Sequence, residues 1–195
     1  MKFNKNIEHY IFHKEHFLDE EYCKNCIKEL GKDEWKQHDW YHYKTNSFNA
    51  MSGNNEPETI KPGCSPKVEK INKFIIQKLH SIILEYVESF KFDWFSEWSG
   101  YSSLKFIRYS PDQTMKNHCD HIHSLFDGER KGVPVLSIIG VLNNNYEGGE
   151  LIMLEDKKID TKQGDLLIFP SNFLYPHEII PVTKGARYSY ISWVW

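Results

Sequence analysis

Two histidines, one aspartate and one arginine recur in the second half of the chain at spacings that suit metal chemistry. His118 and Asp120 lie two positions apart in YSPDQTMKNHCD, His177 opens the later stretch HEIIPVTKGAR, and Arg187 closes it. On a strand, residues i and i+2 face the same side, so His118 and Asp120 point together while Cys119 points away. His177, from a distant strand, completes a set of two imidazoles and one carboxylate. Three such ligands on one face of an octahedral ion leave open positions, the arrangement of non-haem Fe(II) oxygenases. Arg187 is suited to a two-pronged grip on a carboxylate. Tyr109, nine residues before His118, can donate its hydroxyl to the same anion. Taken singly these residues have plainer readings: His-x-Asp arises often by chance, an arginine at a strand start is common, and a tyrosine can be core. With ten histidines in the chain, His121 and His123 form a competing cluster. They fall on the strand face opposite His118 and read as flank or mouth residues.

These side chains need strands to hold them, and the sequence supplies strands. From residue 91 the period changes, first through the aromatic, turn-rich KFDWFSEWSGYSS. LKFIRYS (104–110), MKNHCDHIH (115–123), PVLSIIGVLN (134–143), ELIMLE (150–155), KKID, DLLIFP (165–170), HEIIPV and RYSYISWVW are short strands separated by turn signals such as NNYEGG and KQG. Regular short strands with turns between them predict an all-β sandwich or barrel, and a double-sheet jelly roll is the fitting member. Upstream, EHYIFH (8–13) predicts a first strand. Asp19 then caps a helix over EEYCKNCIKEL, ended near Gly31, with Cys23, Cys26, Ile27 and Leu30 on its buried face. Residues 33–65 read as loop with a possible strand near Trp40–Tyr43. The clearest helix spans 66–90, opened by Pro66, with Val68, Ile71, Phe74, Ile75, Leu79, Ile82, Ile83, Tyr86 and Val87 at helical spacing. His80 on that helix reads as a surface histidine.

At 195 residues the chain suits a single domain, with 1–90 as support and 91–195 as the jelly-roll core. A net charge of −3 gives no broad basic field for nucleic acid. No apolar run approaches the length of a bilayer span, and the N-terminus lacks a signal core, so the expected location is the cytoplasm. The four cysteines do not form a disulfide framework for such a compartment. Cys23 and Cys26, as CKNC, lack a thioredoxin-like surrounding. A zinc site with His13 and His16 has no familiar spacing, so a helix face of small apolar side chains is preferred.

The stretch from Tyr109 to Trp195 resembles the catalytic half of the prolyl 4-hydroxylase-like Fe(II)/2-oxoglutarate dioxygenases. It is especially similar to the PKHD-type hydroxylases and their compact bacterial and phage-encoded relatives. The residues that carry this are RY with HCD nine residues on, VLN, YEGGEL, KQGDLLIFPS and PHEIIPVTKGARYSYISW. The resemblance implies a double-stranded β-helix, the jelly roll of that family. It implies that His118, Asp120 and His177 ligate Fe(II), that Arg187 and Tyr109 hold the far carboxylate of 2-oxoglutarate, and that Ser189 adds a contact. The implied reaction is hydroxylation of a C–H bond by O2, with release of succinate and CO2, and with ascorbate as accessory reductant. A prolyl or other residue of a peptide or protein is the first implied substrate; a free amino acid or other small molecule is the second.

Departures narrow the likeness. Collagen-type members carry Lys where Arg187 stands and Thr where Leu151 stands, so peptidyl proline is the less secure part of the analogy. Nucleic-acid demethylases of the alkylation-repair kind place a second arginine where this chain has Trp193. Two rival classes remain: an inactive jelly-roll binding module, which would have lost a ligand or the anchor, and a zinc or manganese hydrolase, which leaves Arg187 and Tyr109 unexplained. Loop 33–65 and segment 121–133 are expected to line the mouth, with Trp40, Tyr41, Tyr43 and His121 as candidates.

Overall fold

The structure, a computed structural model, describes residues 4–42, 47–49, 55–91, 98, 100–120 and 133–195. Its frame is a seven-stranded sheet facing a four-stranded one. The large sheet runs Phe12–Lys14, Leu166–Pro170, Leu136–Val141, Arg187–Val194, Lys105–Tyr109, Glu58–Ile60 and Lys36–Gln37. The small sheet runs Lys157–Ile159, Leu151–Met153, His177–Ile179 and Met115–His118. The strand pairings are antiparallel, as a jelly roll requires.

Alternation along the central strands splits the core in two. Leu166 and Ile168 join one apolar cluster, Leu167 and Phe169 the other; Phe106 and Ile107 divide the same way, as do Ile138 and Ile139. The first cluster packs the outer face of the large sheet against two helices, α1 (Glu20–Leu30) and α2 (Pro66–Phe90). The second fills the space between the sheets and includes Met115, Leu151, Met153 and Ile179 of the small one. Burial on both faces explains why PVLSIIGVLN and DLLIFP are almost continuously apolar.

Both helices form where their caps place them. Asp19 accepts the Tyr22 N–H at 2.7 Å, and Ser65 accepts the Val68 N–H at 3.3 Å ahead of Pro66. Gly31 ends α1 with right-handed dihedrals, so its conformational freedom is not what stops the helix there. Cys23 and Cys26 are buried on α1, and burial pushes both thiols up to about 12, which makes them packing groups. His13 bonds to Asp165 at 2.8 Å instead of joining them. On α2, Phe74 leaves the expected buried face: it is 40% exposed and its ring lies 4.4 Å from that of Tyr22. Asn72 takes a buried place instead, where its Oδ1 accepts the Leu104 N–H at 2.9 Å and ties the helix to the sheet. His80 is a surface residue bonded to the Tyr101 hydroxyl.

Three expectations need correction. The segment 8–13 is not one strand: Ile7–Tyr10 is a 3-10 turn capped by Asn6, and the strand is Phe12–Lys14. The 33–65 segment, loop for the most part with its expected strand at Trp40–His42, also holds strands that were not expected: Lys36–Gln37 and Glu58–Ile60 extend the large sheet, and Ser47–Asn49 pairs with Trp40–His42. Strands of two or three residues are too short to show a period. Finally, Met115–His118 ends at His118, and Asp120 lies just beyond the strand. Among the described residues no helix is long and apolar enough to cross a membrane.

Candidate functional site

Strand pairing brings His118 and His177 together, since they stand directly opposite each other in the small sheet. Opposed residues of an antiparallel pair put their side chains on one face about 5 Å apart. A register shift follows at once, between His177 and Ile179, a bulge of the kind that re-aims a side chain next to a site. Asp120 reaches the same point from the chain leaving His118. One donor atom from each of the three lies within 4.8 Å of the others, the one such group among the described residues. His118 Nε2 is 3.8 Å from Asp120 Oδ1, and His177 Nε2 is 3.9 Å from Asp120 Oδ2.

Both imidazoles are oriented by their own backbone. His118 Nδ1–H donates to the Lys116 carbonyl at 2.7 Å, and His177 Nδ1–H donates to the Tyr175 carbonyl at 3.1 Å. A carbonyl can only accept, so the proton is on Nδ1 and the Nε2 lone pair is left for a metal. The Ser137 hydroxyl donates to Asp120 Oδ2 at 2.6 Å. Burial pushes the Asp120 carboxyl up, but His177 and His118, with hydrogen bonds from Ser137 and Trp193, outweigh it and hold the group below the usual carboxylate range. Sequence reasoning had no route to Ser137, which sits in the apolar run Leu136–Val141 and reaches Asp120 only through the fold.

Arg187 lies opposite Tyr109 in the large sheet and is 1% exposed. The strand Val182–Lys184 intervenes between it and the His177 strand, so the two are not consecutive as the sequence suggested. Its Nη1 donates to the Ser189 hydroxyl at 2.9 Å. Its Nε and Nη2 are buried with no hydrogen-bond partner among the described residues. A buried guanidinium with two idle nitrogens is costly unless an anion completes it. The Arg187 Cζ stands 5.3 Å from the centre of the Tyr109 ring. Burial raises the Tyr109 phenol to about 12, despite the opposing pull of Arg187, so it stays a hydrogen-bond donor.

Glycine makes room for this arginine. Gly149, at φ +66°, has no side chain where a Cβ would come within 3.2 Å of Arg187 Cδ and 2.9 Å of Val182 Cγ2. YEGGEL is therefore both a turn and the floor of the arginine site. One cleft holds the whole set: His118, Asp120 and His177, with Tyr109, Arg187 and Ser189, between walls of Ile107, Met115, Ile139, Ile179 and Ile191. Fe(II) suits the donor set, and a dicarboxylate suits the idle guanidinium nitrogens.

At the mouth, Trp40 meets His118 edge-on with ring centroids 5.2 Å apart. Its Nε1–H donates to Glu56 Oε2 at 3.0 Å. Glu56 and His38, which also packs on Trp40, were not legible from sequence. Tyr41 sits in the strand Trp40–His42. Tyr43, His121 and His123 lie outside the described residues, as does 121–132.

Residues 104–195 match the family model described as the 2OG-Fe(II) oxygenase superfamily. The chain is 36% identical over 91 residues to a PKHD-type hydroxylase of Idiomarina loihiensis, covering 45% of this chain and 39% of that protein. It is 33% identical over 99 residues to a PKHD-type hydroxylase of Stenotrophomonas maltophilia, covering 48% of this chain and 43% of that protein. The matches thus span about two fifths of these relatives' length. In fold the likeness extends over nearly the whole chain. The 2-oxoglutarate complex of a viral collagen prolyl hydroxylase from Paramecium Bursaria Chlorella virus-1 superposes with a TM-score of 0.64 at 18% identity, covering 95% of this chain and 94% of that one. A Trichoplax adhaerens prolyl hydroxylase in complex with a hypoxia inducible factor oxygen degradation domain peptide fragment gives 0.66 at 18% identity, covering 95% and 83%. The fold is the jelly roll of these hydroxylases.

Proposed function

We propose that this chain is an Fe(II)- and 2-oxoglutarate-dependent dioxygenase that hydroxylates a C–H bond, with a prolyl or other residue of a peptide or protein as its first substrate class. The observation that carries the reading is Arg187, a buried guanidinium with two idle nitrogens in the cleft that holds the His118, Asp120 and His177 donors. The matched family model and the PKHD-type relatives support the reaction class. The peptide held by the Trichoplax neighbour supports the substrate class.

In this reading His118, Asp120 and His177 hold Fe(II), and Arg187 and Tyr109 take the far carboxylate of 2-oxoglutarate, with Ser189 fixing the guanidinium. Iron bound there supplies the redox chemistry that couples O2 and the decarboxylation of 2-oxoglutarate, giving succinate and CO2, to hydroxylation. The protein supplies orientation and dryness. The Nδ1–H bonds lock both rings, Ser137 keeps Asp120 ionised and aimed, and the isoleucine walls exclude water. Residues 1–90 supply two helices and three strands of the large sheet, and 91–195 carry the chemistry. Purified protein with Fe(II), 2-oxoglutarate and ascorbate in air, offered a peptide and metabolite panel, is expected to form succinate, and His118→Ala is expected to abolish it. A folded protein that binds neither iron nor 2-oxoglutarate refutes the reading.

A further inference from the structure

The large sheet carries a second cation on the cleft face, at the end away from Arg187. Lys105, Ile107 and Tyr109 alternate along one strand, and the latter two line the cleft. Lys105 shares their face. It also stands opposite Ile191, another cleft residue, in the pairing with Arg187–Val194. Tyr109, the partner of Arg187, is four residues further on, or about 13 Å along an extended strand. The ligand triad is reached from Lys105 through a short relay of contacts. Lys105 Nζ donates to His38 Nδ1 at 2.9 Å, His38 packs edge-on against Trp40 at 4.9 Å, and Trp40 packs edge-on against His118 at 5.2 Å.

Asp39 and Asp120 favour the charge on this lysine from a distance, and among the described residues neither bonds to it. Among the described residues His38 is its one hydrogen-bond partner, and no carboxylate forms an ion pair with it. His38 is 7% exposed, and burial together with the Lys105 and His118 charges drives its imidazole down to about 3, so it is a neutral acceptor. Glu56 is engaged by Trp40, and Asp120 belongs to the triad. Burial lowers the Lys105 ammonium to about 8, with Lys61 adding to the effect, so it remains mostly protonated at neutral pH. An ammonium held by one neutral partner beside an open cleft still has N–H groups to give.

We propose that Lys105, positioned by His38 and by the Trp40–Glu56 pair, anchors a carboxylate of the primary substrate. The reacting carbon would then lie on the triad side of that carboxylate, while Arg187 holds the co-substrate at the opposite end. The inference rests on the proposed dioxygenase reading and narrows its substrate class. The same carboxylate can belong to a free amino acid or to an acidic residue of a peptide.

The test is binding, with Zn(II) in place of iron and 2-oxoglutarate present, followed by ligand-detected NMR. The probes are matched pairs: L-proline and L-prolinamide, and the capped peptides Ac-Gly-Pro-Asp-NH2 and Ac-Gly-Pro-Asn-NH2. In at least one pair the carboxylate member is expected to bind about tenfold tighter or more, the scale of a charged hydrogen bond. Preference within the first pair identifies a free amino acid, and within the second a peptide. Lys105→Met is expected to erase the preference and Lys105→Arg to restore much of it, while 2-oxoglutarate affinity in the same samples is unchanged. No preference in either pair, or a preference that survives Lys105→Met in a folded protein, overturns the proposal. Failure of 2-oxoglutarate to bind the unaltered protein overturns the parent reading instead.

Discussion

Replacing Arg187 by methionine separates an anion anchor from a structural arginine, because the two roles predict opposite effects on the empty protein. In the wild type, Nε and Nη2 are buried without partners, and Nη1 alone is bonded, to Ser189. Methionine removes the charge and keeps most of the stem that packs over Gly149. Exchanging a buried charge for an apolar side chain of similar length is often neutral, or stabilising by about 1–4 kcal/mol. The one lost bond, to Ser189, offsets about 1 kcal/mol of that. The midpoint of thermal unfolding without ligand is therefore expected to hold or rise.

The effect on 2-oxoglutarate is the reverse. Two charge-assisted hydrogen bonds at about 1.5–3 kcal/mol each give about 3–6 kcal/mol. At ~1.4 kcal/mol per decade, affinity falls by about 10²–10⁴-fold. Wild-type protein at a hundred times its Kd gains about 2.7 kcal/mol of stability. For a chain of this size that is about 5–10 °C in Tm. Differential scanning fluorimetry with and without 2-oxoglutarate, with metal present, reads both quantities at once. A variant that melts well below the wild type when empty, yet keeps its ligand shift, would falsify the anchor and make Arg187 a packing residue.

Four further outcomes follow from particular contacts. Gly149→Ala places a Cβ 2.9 Å from Val182 and 3.2 Å from the Arg187 stem at φ +66°, so it is expected to cost about 1–2 kcal/mol and to weaken 2-oxoglutarate binding; urea melts and a ligand titration check this together. Tyr190→Phe removes a fully buried hydroxyl with no partner among the described residues, and is expected to leave stability unchanged or raise it by about 1 kcal/mol in urea unfolding. Gly140→Ala drives a Cβ into the Tyr190 ring in the middle of the large sheet and is expected to lose more than about 3 kcal/mol, enough to show as loss of soluble protein. Lys105 is held near 8 when folded against an ordinary value near 10.4, so between those pH values the unfolded chain binds more protons and stability rises with pH. The stability difference between wild type and Lys105→Met is therefore expected to shift toward the wild type from pH 8 to pH 10, and a flat difference sinks the assignment.

How much could be read in advance depended on how far along the chain each cause acts. Strands of five or more residues, such as Lys105–Tyr109 and Arg187–Val194, announced themselves, because burial imposes a period that composition cannot hide. The Asp19 cap and Pro66 act within the first turn, so both helices were found at their true starts. The two- and three-residue strands Lys36–Gln37 and Glu58–Ile60 were missed because their pairing partners, not their own residues, make them strands. The same holds in the site. His118, Asp120, His177, Arg187 and Tyr109 were singled out by types and spacing, and the fold brings them to one cleft, whereas Ser137, His38, Lys105 and Glu56 enter only through neighbours far away in sequence.

That division bears on how the site stays assembled. Two cross-strand pairs carry most of it: His177 opposite His118 in one sheet, and Arg187 opposite Tyr109 in the other. A slip of one residue in either pairing would turn one of the histidines or the Arg187 guanidinium to the wrong face. Nothing local to HCD or GARY prevents such a slip. What prevents it is the strict division of alternate side chains between the two cores: Tyr190 and Val194 go to the helix side, while Arg187, Ser189 and Ile191 face the cleft. The helices, remote from the chemistry, therefore set its register, since α2 and the outer face of the large sheet give Tyr190 and Val194 only one place to pack. Truncating Leu79, fully buried on α2, to alanine should then cost about 2–5 kcal/mol in stability. Because the register is all-or-none, the molecules that remain folded should bind 2-oxoglutarate with wild-type affinity. A graded loss of affinity in the folded fraction would show instead that the core tunes the site continuously and that register is not what it protects.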